Sequence, residues 1–354
     1  DIVAAAKNEE PDDYLYISKE KYEEYSALSG KVGVSDLLVT GVGTIGVPYL
    51  VRNLEPLYFK DGNIIWFQNS DKIDGKFLFY SFSAEQIQGF INESAGIGTV
   101  GTYTIESGKK TPISLPNQIE QAKVGDFFQQ LDNLITLHQR KFEKLTNVKK
   151  SMLEKMFPQN GSSYPEIRFK GFTDPWEQRK LGDVVQITMG QSPDGSTYSD
   201  EPSDYILVQG NADLQNGWVC PRIWTTQITK KADAGDLIMS VRAPAGAMGK
   251  TAYNAVIGRG VAAIKGNEFI YQLLVKMDTD GFWKTLSCGS TFESLNSDNI
   301  KNAEVKIPTT AEQIKIGGLF QYLDNLITLH QRKPFLMKWR TSDANRNQTN
   351  RLIL

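Results

Sequence analysis

One stretch of eleven residues occurs twice in this chain of 354 residues, and it restricts the possible folds more than any other feature. Residues 131–141 and 323–333 both read Leu-Asp-Asn-Leu-Ile-Thr-Leu-His-Gln-Arg-Lys, at an offset of 192 residues. Identity over that length indicates an internal duplication of long period. The sequence therefore predicts two similar units, each followed by the same segment.

Both copies lie within a helical pattern, in which apolar residues recur at alternating spacings of four and three residues. This spacing is typical of the contact face of a coiled-coil helix. Two helices with the same apolar face can bury it against each other, so we predict that the two copies pair. The residues expected to pair, or to dock a partner helix, are Phe128, Leu131, Ile135, His138, Phe142, Phe320, Leu323, Ile327 and His330.

The turn and strand patterns around the copies predict mixed α/β domains. The strand-like runs Asp36–Thr40 and Asp236–Ser240 correspond at an offset of 200 residues, and Gly75–Asn92 has a helical period. A long helix is expected to start near Asn117, where Glu120 completes a capping-box pattern. Some 40 residues at about 1.5 Å each would make a rod of about 60 Å.

Six segments follow from these landmarks. Trp176 precedes Asp236 by 60 residues, whereas only 35 residues precede Asp36, so we expect the first domain to be N-terminally incomplete. The segments are a first domain (1–115), a long helix (116–158), a linker rich in Pro, Gly and Ser (159–175), a second domain (176–308), a shorter second helix (309–333) and an irregular tail (334–354).

The composition excludes several classes of protein. With 39 basic and 41 acidic residues, the net charge of −2 provides no overall electrostatic case for nucleic acid, so any such case depends on local patches. Cys220 and Cys288 lack the spacing of a disulfide framework or a zinc site, and no signal peptide is recognisable, so we expect a cytoplasmic protein. No apolar run is long enough to span a membrane.

Two glycine-rich stretches bear on nucleotide binding. Gly41–Gly46 is a literal GxGxxG with Asp61 about 20 residues on, but the proline-interrupted run Val47–Val51 follows it, where a dinucleotide fingerprint requires a helix. We expect a strand, a turn and a strand, and keep nucleotide binding as the less favoured alternative. Pro244–Thr251 resembles a P-loop, but its first glycine is replaced by Pro244 and no helix is expected after it.

Catalytic patterns are sparse. His138 and His330 are the only histidines, and both lie on the apolar helix face. A metal site between them is the alternative to a structural role, which we favour because no carboxylate or thiol pattern accompanies either residue. We therefore predict no metal site and no catalytic residues, and a chain that binds rather than catalyses.

Polar and basic residues on predicted turns form the candidate DNA-binding surface. Gln, Asn and Arg can contact base edges through two hydrogen bonds, while Lys, Ser and Thr suit phosphates. An ordinary polar surface is the alternative. Arg242 and Lys250 are expected to be exposed cations on a loop. The candidates are Gly43, Thr44, Thr99, Gln191, Ser192, Gln209, Asn211, Arg222, Arg242, Lys250, Ser290 and Thr291.

Taken together, these features resemble the specificity subunit of a type I restriction–modification system. The resemblance covers about residues 30–333, and rests on the two repeated helices and on the join between the two units. That join contains Met156-Phe157-Pro158, Pro165-Glu166-Ile167-Arg168-Phe169, Gly171-Phe172-Thr173-Asp174 and Trp176-Glu177-Gln178-Arg179-Lys180-Leu181-Gly182.

The resemblance implies an α/β (α+β) fold with two target-recognition domains, separated by two long antiparallel coiled-coil spacer helices and related by a pseudo-twofold axis. It implies a non-catalytic subunit that recognises a bipartite site in double-stranded DNA and positions modification subunits for adenine methylation. Restriction subunits would complete the complex. S-adenosylmethionine, ATP and Mg would be bound by these partners, and no cofactor by this chain. The alternatives are a coiled-coil interaction scaffold that does not contact DNA, and a nucleotide-dependent enzyme using Gly41–Gly46.

Overall fold

Contacts divide the chain into two units, Asp1–Leu137 and His138–Leu354, each with hydrophobic core residues of its own. The structure is a computed structural model that describes residues 16–53, 56–59, 63–69, 72–95, 101–287 and 294–331. No helix in these ranges is both long and apolar enough to cross a membrane.

The elements up to the long helix are α1 (Lys19–Ser29), β1 (Leu37–Thr40), β2 (Pro48–Leu50), β3 (Ile64–Phe67), α2 (Gly75–Phe82), α3 (Glu85–Ser94), α4 (Ile105–Lys110) and α5 (Gln118–Lys155). After it come β4 (Glu177–Lys180), α6 (Leu181–Val184), β5 (Gln186–Met189), β6 (Tyr198–Ser199), β7 (Tyr205–Val208), β8 (Leu214–Gln215), β9 (Trp218–Val219), β10 (Ile223–Thr225), β11 (Lys230–Ala232), β12 (Leu237–Ser240), β13 (Met248–Lys250), β14 (Ala255–Ile257), β15 (Val261–Lys265), α7 (Glu268–Thr279), α8 (Phe282–Ser287), α9 (Ser297–Lys301), β16 (Glu304–Ile307) and α10 (Thr310–Gln331).

The described sheet of the first unit has the order β2–β1–β3, with both pairings antiparallel. All four residues of the central strand β1 are buried, as an apolar run covered on both faces requires. The turn between β1 and β2 contains Gly41–Gly46, and Gly46 N donates to Thr40 O at 2.8 Å. The GxGxxG stretch therefore joins two antiparallel strands, as predicted, and β2 rather than a helix follows it.

The helical period over Gly75–Asn92 is confirmed, and it is divided between two helices, α2 and α3. Gln88 Nε2 donates to Phe82 O at 2.6 Å and to Gly46 O at 2.8 Å, and thereby satisfies a carbonyl at the end of α2. The apolar spacing persists across the break because both helices bury residues on the same core. Those residues include Leu78, Phe82, Ile87 and Ile91.

The strands of the second unit separate two clusters of apolar residues. A six-stranded sheet has the order β5–β15–β12–β13–β9–β8, and a five-stranded sheet has the order β11–β14–β7–β10–β6. Side chains of a strand alternate between its two faces. Leu237 and Met239 accordingly contribute to one cluster and Ile238 to the other, and the glycine-rich stretch after β12 leads directly into antiparallel β13.

Residues 159–175 are held to the second unit by hydrogen bonds and do not form a free linker. Ile167 N donates to Lys155 O at 2.9 Å, and Trp176 N donates to Ser163 O at 2.9 Å. Arg168 bonds the fully buried carboxylate of Glu312 through Nε and Nη2, both at 2.8 Å. The prolines and glycines of the segment therefore shape an ordered connection that ends at the buried Trp176.

The duplication extends to the hydrogen bonds at the start of each long helix. Gln121 Nε2 donates to Pro116 O at 2.8 Å, and 192 residues later Gln313 Nε2 donates to Pro308 O at 3.0 Å. The preceding segments differ, because β16 pairs with β4 whereas residues 112–115 form no strand. A strand requires a partner, and the second unit provides one in Glu177–Lys180.

Candidate nucleic-acid interface and helix pairing

Three backbone segments of the second unit converge where β5, β7 and β14 end. Gly190 N donates to Val261 O at 3.0 Å, Gln191 N donates to Ile257 O at 2.9 Å, and Gly258 N donates to Val208 O at 2.8 Å. These bonds hold the loops after the three strands against the β14–β15 turn. We call this region, with Gln191–Ser192, Gln209, Arg242 and Gly258–Gly260, the strand-end cluster.

Glycines permit the close approach of these backbones. A Cβ atom on Gly190 would lie 2.1 Å from the carbonyl oxygen of Gly258, and one on Gly260 would lie 2.0 Å from the carbonyl oxygen of Gln209. Both distances are far below a van der Waals contact. Any other residue at these positions would force the loops apart and displace the side chains that they carry.

The structure brings four of the predicted DNA contacts into this cluster. Gln191 and Arg242 are exposed, while Ser192 and Gln209 are half-buried. Ser192 Oγ accepts a hydrogen bond from Arg259 N at 3.2 Å. Val241 N donates to Gly260 O at 2.9 Å, which places Arg242 beside the same turn.

Two further candidates adjoin the cluster through a buried carboxylate. Asp213 accepts hydrogen bonds from Gln209 N at 2.7 Å and Gly210 N at 3.1 Å. It also accepts from Arg222 Nε at 3.0 Å and Nη2 at 2.8 Å. Asp213 therefore fixes the backbone that carries Gln209, and the half-exposed Arg222 compensates its charge. Asn211 lies half-buried in the same turn.

The prediction of Lys250 as an exposed loop cation was wrong. Lys250 ends strand β13, its side chain is only 13% exposed, and Nζ lies 2.9 Å from Glu268 Oε2. The ammonium group also lies over the rings of Trp218 and Tyr271, at 4.9 and 4.5 Å from their centroids. Burial, reinforced by the carboxylates of Asp324 and Glu268, raises the pKa of Tyr271 above its ordinary value. Sequence reasoning placed Lys250 in a loop because the glycines before it resemble a P-loop.

The first unit has a β-bridge at the position that corresponds to the bridge of Arg242, but with different side chains. Val42 bridges to Thr102 and Arg242 bridges to Ser294, at corresponding positions of the two units. Gly43 and Thr44 are exposed in the β1–β2 turn, and Gly43 has φ +75°, which favours glycine. The predicted contacts Thr99, Ser290 and Thr291, together with Asp61, lie outside the described residues.

The helix face predicted to pair brings two equivalent histidines together in the second unit. Nδ1 of His138 lies 2.9 Å from Nδ1 of His330, and the residues are 192 positions apart. Burial, followed by the nearby charges of His138 and Lys141, lowers the pKa of His330. The described residues contain no group of three potential metal ligands, and the geometry fits a hydrogen-bonded pair of histidines.

One salt bridge, together with the histidine contact, shows the relative direction of the two paired helices. Lys149 Nζ of α5 lies 2.6 Å from Asp324 Oδ1 of α10, so contacts move up the sequence of one helix as they move down the other. The pair is therefore antiparallel. Leu145, Val148, Met152 and Leu153 of α5 pack against the cluster that contains Ile316, Phe320 and Leu323.

Each long helix is also bonded to the helix of its own domain at the same position of the repeat. In the first unit Tyr80 Oη donates to Asp132 Oδ2 at 2.8 Å, and 192 residues later Gln272 Nε2 donates to Asp324 Oδ2 at 2.8 Å. Three residues that were predicted to pair lie on the part of α5 that belongs to the first unit, namely Phe128, Leu131 and Ile135. Of these, Phe128 is exposed and its ring centroid lies 5.3 Å from that of Tyr80, and Leu131 and Ile135 are half-buried.

Comparison with known proteins agrees with this duplicated arrangement. The family model described as "Type I restriction modification DNA specificity domain" matches residues 3–147 and 173–335. The chain belongs to this family. Both copies of the repeat lie within the matched residues, one in each matched segment, so the specificity-domain family accounts for the duplication.

A curated relative supports the same assignment. The MjaX protein of Methanocaldococcus jannaschii, described as a type I restriction enzyme specificity subunit, is 28% identical over 283 residues. The alignment covers 75% of this chain and 65% of that protein, so this specificity-domain chain spans just under two thirds of the relative.

Solved structures of the family share its mixed α/β fold. The HsdS subunit of Thermoanaerobacter tengcongensis matches with a TM-score of 0.51 and 23% identity, covering 88% of this chain and 78% of that one. The type I restriction–modification S subunit of M. genitalium matches with a TM-score of 0.58 and 14% identity, covering 89% and 84%. The predicted fold, two β-sheet domains with long helices that pack together, is confirmed.

Sequence reasoning missed Asp213 and the glycines of the strand-end cluster. Asp213 follows a turn that contains polar residues, and only its buried position shows that it orders Gln209 and Gly210. Gly258-Arg259-Gly260 was the available signal, because closely spaced glycines around an arginine indicate a turn in which backbones approach closely. The sequence therefore predicts the turn itself, but not which residues lie against it in the folded chain.

Proposed function

We propose that this chain is the non-catalytic DNA-recognition subunit of a type I restriction–modification complex. The observation that carries the proposal is the convergence of Gln191, Ser192, Gln209 and Arg242 on the strand-end cluster. Arginine and glutamine can each form two hydrogen bonds with a base edge, and a serine hydroxyl can bond a base or a phosphate. Loops fixed by buried hydrogen bonds can present these groups without a large loss of conformational entropy.

The two domains would each contact one half of a bipartite site. Support comes from their shared frame and from the different residues at corresponding positions, Val42 in one unit and Arg242 in the other. Two domains with the same backbone arrangement but different contact residues suit two half-sites of different sequence. A rigid connection between two such domains would convert their separation into a fixed gap in base pairs, as symmetric DNA-binding dimers do.

The helices would also dock the partner subunits. Leu134, Leu137 and Leu329 are exposed on the long helices, next to the residues that pair. Exposed apolar residues at helical spacing suit a partner helix. In this proposal modification subunits methylate adenine with S-adenosylmethionine, restriction subunits bring the ATP- and Mg-dependent chemistry, and the complex acts on double-stranded DNA in the cytoplasm.

Methylome sequencing tests the proposal in cells that express the full chain with its modification subunits. We expect a split adenine motif with a fixed gap, and no motif in cells that lack the chain. The purified complex should bind duplex DNA with an affinity that falls linearly with salt on logarithmic axes, because phosphate contacts release counterions. A complex that assembles normally but shows neither motif nor salt-dependent binding would refute DNA recognition and favour the interaction scaffold.

A further inference from the structure

We infer that Arg259 is a specificity-determining residue, which together with Arg242 contacts guanine in the half-site bound by the second unit. The inference rests on the proposed DNA-recognition function and identifies the base class of one half-site. Arg259 stands between two glycines in the β14–β15 connection, and the sequence features that pointed to DNA did not include it.

Arg259 occupies the tip of a tight turn. Val261 N donates to Gly258 O at 3.1 Å, which closes the turn with Arg259 at its second position. Its backbone N–H is satisfied by Ser192 Oγ at 3.2 Å, while its side chain is exposed. The backbone is thus held in place and the guanidinium group extends outward.

Arg242 lies next to this turn on the neighbouring strand. In the antiparallel pairing of β12 and β15, Ser240 is opposite Val261, and the bond from Val241 N to Gly260 O continues the same register. Arg242 and Arg259 each lie one residue beyond this hydrogen-bonded pair, and Arg242 itself bridges to Ser294. Two exposed arginines therefore stand on adjacent backbones, beside Gln209 and Ser192.

The charges of these two arginines are not compensated within the described part of the chain. Neither has a carboxylate within 4.0 Å there, whereas Arg222, Lys250 and Lys265 of the same unit all form salt bridges. Like charges on neighbouring segments repel each other and lower the stability of the local structure. A local arrangement that costs stability without internal compensation is expected where an external anion or hydrogen-bond acceptor is bound.

The chemistry of the cluster favours a guanine edge over a phosphate. The planar guanidinium group donates two parallel hydrogen bonds to O6 and N7 of guanine in the major groove, the commonest specific contact of arginine. Gln209, which borders the turn, suits an adjacent adenine. A turn of this size can enter a major groove about 12 Å wide.

The test compares Arg259→Lys and Arg259→Ala with the wild type in the full chain, co-expressed with the modification subunits. Arg259→Lys keeps the positive charge and loses the paired donors, so it separates a base contact from a phosphate contact. We expect each variant to relax the preference for guanine at one or two positions of one half-site by about 10- to 100-fold in relative methylation. The other half-site and the gap should stay unchanged.

Arg179→Lys is the matched control, an exposed arginine of the same unit on β4 outside the cluster. Its motif should equal that of the wild type. The inference is wrong if Arg259→Lys keeps the wild-type motif, or if Arg259→Ala only weakens methylation uniformly across sequences. A wild-type complex without any motif or salt-dependent DNA binding would instead refute the proposed function, and the inference with it.

Discussion

Nδ1 of His138 and Nδ1 of His330 lie 2.9 Å apart, although each occupies the same place in its own copy of the repeat. In an antiparallel pair of identical segments, equivalent residues meet only where a twofold axis passes between them. The contact between these two imidazoles is therefore made by equivalent residues of antiparallel helices. The duplication in the sequence is thus matched by a symmetric contact in the structure.

Acidification should weaken this helix contact. Since the pKa of His330 is lowered in the folded state, the unfolded chain binds more protons as the pH falls below the ordinary histidine value of about 6.5. The free energy of unfolding should therefore keep its full value above about pH 6.5 and decrease as the pH falls below it. In addition, two protonated imidazoles cannot accept a hydrogen bond from each other.

Thermal unfolding at pH 5.5 and 7.5 checks this prediction. The wild type should unfold at a lower temperature at pH 5.5, and the difference should shrink in His330→Gln, which cannot be protonated. Equal differences in the two proteins would show that the histidine pair does not contribute.

The apolar face of α10 should contribute strongly to the stability of the second unit. Leu323 is buried in the cluster that contains Phe320 and Ile316, so Leu323→Ala should lower the free energy of unfolding by about 2–5 kcal/mol. Leu329→Ala, an exposed position on the same helix, should change it by less than about 0.5 kcal/mol. Urea denaturation measures both, and similar losses would contradict the observed packing.

The buried ion pair of Arg168 and Glu312 should contribute more to the free energy of unfolding than the exposed Glu120 at the equivalent position of the first unit. Glu312 is fully buried and accepts two hydrogen bonds from Arg168, so Glu312→Gln would leave a cation largely out of water. Breaking a buried pair in this way costs about 3–5 kcal/mol. Glu120→Gln, the exposed equivalent 192 residues earlier, is the control and should be nearly neutral. Comparable unfolding curves for the two variants would refute the buried pair.

The strand-end cluster should tolerate no side chain at Gly260. Gly260→Ala would place a Cβ 2.0 Å from the carbonyl oxygen of Gln209, so the β14–β15 turn would have to move. We expect loss of stability and of sequence-specific methylation. Gly195→Ala, where a Cβ meets open space, should keep both. An unchanged motif and an unchanged unfolding temperature in Gly260→Ala would contradict the close approach.

Arg242→Ala should alter DNA binding and leave the fold intact. The side chain is exposed, and within the described residues it forms no ion pair, so its removal leaves no buried charge behind. Affinity for duplex DNA should fall at low salt, while circular dichroism and the unfolding temperature stay at wild-type values. Wild-type affinity at low salt would remove Arg242 from the interface.

Sequence reasoning succeeded for the elements whose physical cause is local. The spacing of apolar residues and the Asn117–Glu120 capping pattern predicted a long helix starting near Asn117, and α5 begins at Gln118. The proline-interrupted run after Gly46 favoured a strand, a turn and a strand over a dinucleotide fingerprint, and the antiparallel pairing of β1 with β2 confirms that arrangement. The boundaries of the domains and the DNA contacts stay predictions.

Its errors concerned properties that depend on distant neighbours. Lys250 lies in a glycine-rich stretch, and nothing near it in the chain reveals Glu268 or the rings of Trp218 and Tyr271. The period of Gly75–Asn92 did not reveal its break, because two helices on one core keep the same apolar spacing.

The sequence by itself determined the duplication, the helical periodicity and the family, because these are written in residue order and identity. Only the tertiary structure decided which side chains meet. Equivalent histidines touch because the helices pair antiparallel, and Arg242 comes close to the turn that carries Arg259 because Val241 N bonds Gly260 O. Such contacts join residues far apart in the chain, and depend on the packing of whole sheets and helices.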